Sequence, residues 1–204
     1  QSQLPVYDTT LADLNFSQIF QENIFAGSDR INNANQTTLA LTTRWLDADS
    51  GFERLSLSLA QQFYFEDQQV TLPFEVPRTN TRSLYLLGGN AALTDTTNTA
   101  ATFQYNPYTS QWDRAQVVAR WRPQRLAMMS LSYRYQINPP PTAIYQTPGQ
   151  NQISAAFQWP LTNRWYSVGR VDYSFNRVDA PSIIDPTVIV AMPKVTQAIV
   201  GLEY

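Results

Sequence analysis

The sequence predicts an all-β fold, an antiparallel up-and-down transmembrane β-barrel of which these 204 residues supply a portion of about nine strands. Three observations predict it. Run after run alternates apolar with polar residues, so each run splits into two faces. The apolar faces carry Trp and Tyr near their ends, while the polar faces carry charges in mid-strand, as expected with lipid on one side and a wet lumen on the other. The long connections follow alternate strands, which sorts them to one rim of an up-and-down sheet.

Residues 1–36 are the least regular and are expected to form an irregular, lumen-packed segment. Phe16, Ile19, Phe20 and Phe25 are expected to be its buried residues, and Gly27 with the Asn-rich link 32–36 has turn chemistry. Residues 37–204 are expected to be barrel strands within one larger barrel domain. Leu39, Leu41, Thr43 and Trp45 alternate with Thr38, Ala40, Thr42 and Arg44 before the turn at 47–51. Leu55, Leu57, Leu59, Phe63 and Phe65 then oppose Arg54, Ser56, Ser58, Ala60 and Gln62. Residues 83–94 set Tyr85, Leu87, Ala91 and Leu93 on one face, with Gly88 and Gly89 reading as a bulge or bend.

Further strands are predicted over 99–107, 112–122, 127–135, 152–159, 165–175 and 195–204. In the hairpin at 152–175, Ile153, Ala155, Phe157 and Trp159 share a face, as do Gly169, Val171, Tyr173 and Phe175. Four residues with turn chemistry separate its halves. No segment has a 3.6-residue period, so very little helix is expected. Nine is an odd number, and an open sheet with a lipid-facing side would leave bare edges. The strands are therefore read as part of a larger barrel.

Composition narrows the chemistry. The chain has no Cys and no His, which removes disulfides, thiolate metal sites and the commonest general base. Ser-His-Asp and Cys-His catalysis cannot be assembled from these residues, and no metal, cofactor or enzymatic role is expected. A formal net charge of −2 gives no field that suggests nucleic acid. No apolar run is long enough for a transmembrane helix, and the start at Gln1 lacks the pattern of a signal peptide. The carboxylates at Asp47 and Asp49, and at Glu66 and Asp67, fall in connections and read as solvated turns.

Two residue sets are candidate functional groups. Arg44, Arg54, Arg114, Arg120, Arg134 and Arg170 fall on the polar set with Asp172, and so does Arg122 at a strand end. They read either as a cationic lumen facing an anionic substrate or plug, or as ordinary lumen solvation by ion pairs. Trp45, Trp121, Trp159, Trp165, Tyr133, Tyr135, Tyr173 and Tyr204 lie near strand ends on the apolar set and read as membrane-interface girdles. Asp29 and Arg30 are expected to pair with wall charges from within the packed segment.

Several stretches carry a family resemblance. Leu4-Pro-Val-Tyr-Asp-Thr9, Leu14-Asn-Phe-Ser-Gln-Ile-Phe20, Gly27-Ser-Asp-Arg-Ile31, Ala34-Asn-Gln-Thr37 and Thr42-Thr-Arg44 resemble the C-terminal part of the barrel in the LptD family, the lipopolysaccharide (LPS)-assembly or organic solvent tolerance proteins. Gln62-Phe-Tyr-Phe65, Gln158-Trp-Pro-Leu-Thr-Asn-Arg-Trp165 and Gly201-Leu-Glu-Tyr204 look like later segments of the same barrel. The resemblance implies a bacterial outer-membrane location among outer-membrane lipids, with LPS as cargo. It also implies an LptE lipoprotein plug, a lateral gate, and a periplasmic Lpt bridge reached through a jellyroll outside these residues. The rival readings are a general porin-like channel of unknown cargo and a soluble all-β binding module.

Overall fold

The computed structural model describes residues 8, 10–11, 14–27, 29–72, 79–137, 149–162, 164–175, 179–181, 189–191 and 195–203. Among them there are strands and turns and no helix, hence none long and apolar enough to cross a membrane. The elements are β1 (Thr10–Leu11), β2 (Phe25–Ala26), β3 (Gln36–Leu46), β4 (Glu53–Tyr64), β5 (Tyr85–Thr94), β6 (Thr97–Asn106), β7 (Gln111–Trp121), β8 (Met128–Gln136), β9 (Gln150–Pro160), β10 (Tyr166–Ser174), β11 (Asp179–Pro181), β12 (Ile189–Ala191) and β13 (Val195–Glu203).

Nine of these form one sheet in the order β13-β10-β9-β8-β7-β6-β5-β4-β3, so sequence neighbours pair in an up-and-down meander. These are the nine strands that the alternation marks. The residue pairs β1–β2 and β11–β12 form two further small sheets that the alternation did not signal. Short connections at 47–52, 95–96, 122–127 and 161–165 leave one end of the strands, and the intervals 65–84, 137–149 and 175–194 leave the other. The connection at 107–110 is the short exception at that second end.

Two compact units divide the chain. One comprises Gln1–Thr43, Ser58–Leu87 and Gln104–Gln111; the other comprises Arg44–Leu57, Gly88–Phe103 and Trp112–Tyr204. The first holds a small core of Ile19, Ala60 and Leu86, against which Leu14 and Phe16 pack. Phe25 is also buried, but Phe20 is 61% exposed, which corrects the expectation that all four apolar residues of this segment are covered. Turns run through 16–20, and adjacent side chains there leave the chain in different directions. Covering Ile19 therefore leaves Phe20 outside.

The second unit contains strands whose apolar residues stay exposed. Val200 is 78% exposed, and Trp121, Met129, Leu131, Phe157, Val171 and Leu202 are exposed with it. Its sheet is kept tight by two glycines. A Cβ at Gly89 would stand 2.9 Å from Leu57 Cδ2 and 3.3 Å from the Ser56 carbonyl, so this glycine serves a close approach of neighbours. At Gly169 a Cβ would collide with the ring of Phe157, its partner across β9 and β10.

Candidate functional site: a two-faced sheet and a packed segment

Residues paired across a ladder point to the same side of the sheet, so the register assigns faces without appeal to side-chain detail. In β7–β10 and β13, one row runs Trp121, Met129, Phe157, Gly169, Val200. The next runs Ala119, Leu131, Ala155, Val171, Ala198, and a third runs Val117, Tyr133, Ile153, Tyr173. All three rows lie on one face and contain no charge.

The intervening rows carry the polar set. Arg120, Ser130, Ala156, Arg170 and Ile199 are aligned, as are Gln116, Arg134, Gln152 and Ser174. Val118, Ser132, Ser154, Asp172 and Gln197 form another row, and Arg114 sits opposite Gln136. Register thus brings Arg114, Arg120, Arg134, Arg170 and Asp172 to one face, as the alternation predicts. Val118 and Ile199 show that this face is mixed.

Arg170 and Asp172 form a tight ion pair in this part of the sheet. Arg170 Nε lies 2.9 Å from Asp172 Oδ2 and donates to Oδ1 over 3.1 Å. Asp172 is 3% exposed, whereas the Arg170 side chain remains open to its surroundings. The ladder between β10 and β13 shifts register between Asp172 and Tyr173, a β-bulge next to the pair. Nothing in the residue pattern signalled that bulge.

Arg44 and Arg54 sit elsewhere, at the end where the short connections lie. Arg44 Nε is 3.7 Å from Glu53 Oε2, with both side chains exposed. Arg54 Nε lies 3.6 Å from Asp47 Oδ2, and its Nη1 donates to Asp95 Oδ1 over 3.0 Å. Its guanidinium also stands 5.3 Å from the centre of the Phe52 ring. Arg54 therefore joins two turns by their carboxylates, the solvated ion-pair reading rather than a free cationic surface. Asp47 Oδ1 accepts from the Ser50 N–H at 3.0 Å and the Ser50 hydroxyl at 2.9 Å. Those bonds hold the Asp47 carboxyl below its usual range, the Ser50 backbone bond contributing most.

The aromatic candidates divide by strand end. Trp45, Trp121, Trp159 and Trp165 all stand beside short connections, and Trp45, Trp121 and Trp165 are exposed. The rings of Trp121 and Trp159 are 6.5 Å apart. At the other strand end Tyr173 meets Phe175 edge to face at 5.2 Å. Tyr133 and Tyr135 share the strand face of Tyr173. Tyr204 lies outside the described residues.

In the first unit, the segment 14–35 is held by amides. Gln62 Nε2 and Thr38 Oγ1 both donate to the Ile19 carbonyl, over 3.1 and 2.8 Å. Gln104 Nε2 donates to the Leu14 carbonyl. Asn23 Oδ1 accepts from the backbone of Phe25 and Asn32, and its Nδ2 donates to the Arg30 carbonyl. Asn33 and Asn35 reach the Asp67 carbonyl and the Glu66 carboxylate, so these carboxylate-bearing residues anchor a segment as well as a turn. Arg30 is buried, and Asp29 Oδ2 accepts from the Asp8 N–H. Sequence reading picked out Arg30 and Asp29 but missed Asn23, Gln62 and Gln104, whose signal was only a neutral amide on a polar strand face or in the irregular segment.

Comparison with known proteins gives a consistent result. The family model LptD, described as LPS transport system D, matches residues 1–165. The chain is 60% identical over 205 residues to the LPS-assembly protein LptD of Bordetella parapertussis, covering 100% of this chain and 25% of that protein. The corresponding protein of Bordetella avium is 57% identical over 205 residues, again with 100% and 25% covered. That of Azoarcus sp. is 35% identical over 207 residues, with 100% and 23% covered. The chain thus spans about a quarter of the length of the curated relatives it matches.

Proposed function

Because the chain belongs to the LptD family, we infer that it is part of the wall of an outer-membrane β-barrel serving lipopolysaccharide transport and assembly. One observation carries this reading. The register puts Trp121, Met129, Phe157 and Val200 on one face and Arg120 and Arg170 on the other, and the large apolar side chains of the first face are exposed. A soluble protein rarely leaves so large an apolar face uncovered, whereas a barrel wall has lipid against it. Trp at one strand end and Tyr at the other supports two membrane interfaces.

In this reading the polar face lines the lumen, and the short connections face the periplasm. The segment 1–36 packs inside, with Asp29 and Arg30 among the luminal charges, and 37–204 is one part of a larger barrel near its C-terminal end. Lipopolysaccharide is the cargo, an LptE lipoprotein is the luminal plug, and a jellyroll elsewhere in the protein meets the periplasmic bridge. Arg114, Arg120, Arg134 and Arg170 are the cationic side chains offered to cargo or plug. A general channel of unknown cargo is disfavoured, since the relatives are named for LPS assembly.

The test is photocrosslinking in cells from the full-length protein, with the label at Gln152 or at Leu131. Gln152 should yield protein or lipopolysaccharide adducts, and Leu131 should yield lipid adducts without protein. Protein adducts from Leu131 would overturn the assignment of faces.

A further inference from the structure

On the apolar face of the second unit lies a trough of about 430 Å³, lined by Ala119, Trp121, Leu131, Ala155, Phe157 and Val200 among others. Register explains it. Small residues at Ala119 and Ala155 are interleaved with Leu131 and Val171 in one row, beside Trp121, Met129 and Phe157 in the next. The floor therefore drops at the small positions while the large side chains form its walls. At the short-connection end, the trough begins at Trp121, whose ring is 6.5 Å from that of Trp159.

Two of the four turns at that end are cationic. Residues 122–127 carry Arg122 and Arg125, residues 161–165 carry Arg164, and neither turn contains a carboxylate. Arg122 directly follows Trp121, and its N–H donates to the Thr96 carbonyl over 2.7 Å, beside Thr97, which also lines the trough. The Leu126 carbonyl accepts from Gln158 Nε2 over 3.2 Å, which ties the first arginine turn to β9 next to Trp159. The turns at 47–52 and 95–96 are the contrast, since they carry Asp47, Asp49 and Asp95 and no basic residue.

We propose that this trough and its arginine turns form a binding site for one glycerophospholipid with a net-negative headgroup. An acyl chain occupies the trough, and Arg122, Arg125 and Arg164 take the phosphate. Charge complementarity and position select this occupant. Guanidinium matches phosphate by paired hydrogen bonds. Trp121 and Trp159 mark the level at which hydrocarbon gives way to headgroups. On the barrel-wall reading the short connections face the periplasm, so Trp121 and Trp159 stand at that interface. The site rests on the barrel-wall reading given above.

The experiment is photocrosslinking from Leu131 in the full-length protein in its own membrane, with the adducts identified by mass. Each basic side chain at a membrane surface favours an anionic lipid by roughly fivefold. Anionic phospholipid should therefore be enriched among the adducts several-fold above its share of the membrane. The triple variant Arg122→Gln, Arg125→Gln, Arg164→Gln should bring that ratio back to the membrane share with the total lipid adduct unchanged. Lipid adducts in membrane proportion from the unaltered protein, or adducts chiefly of lipopolysaccharide, would overturn the site while leaving the wall reading intact. Protein adducts at Leu131 would overturn the wall reading itself.

Discussion

The side-chain amide of Gln62 donates to the backbone carbonyl of Ile19 over 3.1 Å, and its Nε2 also lies 3.2 Å from Thr38 Oγ1. Gln62 and Ile19 are both buried, so a strand amide and an apolar side chain together fix the segment 14–35. Replacing Gln62 by Leu removes the donor and leaves Thr38 to satisfy that carbonyl alone. A lost buried hydrogen bond of this kind costs about 1–3 kcal/mol. Faster amide exchange across 16–26 in the full-length protein is expected for Gln62→Leu, with exchange in β7 and β8 unaffected. Equal exchange in both proteins would mean that the amide does not hold the segment.

Ile19 itself is 0% exposed and contacts Ala60 and Leu86. Truncation to Ala should destabilise the first unit by about 2–5 kcal/mol, the range for losing a buried aliphatic side chain. Phe20→Ala should cost far less, because that ring is exposed. Denaturant unfolding of the two variants in detergent measures the difference.

Gly169→Ala forces the Phe157 ring from its place over the glycine. Overpacking of this kind costs about 1–3 kcal/mol. Gly169→Ala combined with Phe157→Leu should recover part of the loss. A double-mutant cycle on unfolding stability reads the coupling, and strict additivity would show that the two residues do not compete for the space.

The Asp47 turn responds to pH with a defined sign. Its folded pKa is lowered below 3.8 by the Ser50 bonds, so the group's stabilising contribution is fully present above 3.8. The contribution is lost as pH falls through the folded value. Carboxyl chemical shifts of Asp47 should titrate with a midpoint below 3.8, and Ser50→Ala should move that midpoint up. Gly51 closes the same turn at φ 68°, and its N–H donates to the Asp47 carbonyl over 2.9 Å.

The wall was legible in the sequence because a strand alternates with period two, so Leu131 and Ser132 declare opposite faces from their order alone. The same logic put Arg170 and Asp172 together, two residues apart on one strand. The segment 14–35 was only half legible. The burial of Ile19 and Phe25 was foreseen from broken alternation, yet Phe20 was misplaced, because a turn has no fixed period. The contacts of Gln62 with Ile19 and of Gln104 with Leu14 join residues far apart in the chain, and neutral amides carry no pattern that predicts such partners. Asn32 and Asn35 read as turn formers when their side chains are in fact fastenings. Arg54 was assigned to the lumen set by parity alone, which could not foresee that Asp47 and Asp95 would meet it at the strand end.

The two-faced wall is tested most directly by comparing Leu131→Arg with Ser132→Arg, adjacent residues of β8 on opposite faces. Unfolding free energy of the full-length protein in lipid vesicles is the measurement. An arginine on the lipid face near mid-bilayer costs about 2–4 kcal/mol. Leu131→Arg should show that loss, while Ser132→Arg, in the row of Asp172, should leave stability close to the unaltered protein. Equal losses, or a larger loss at Ser132, would contradict the account.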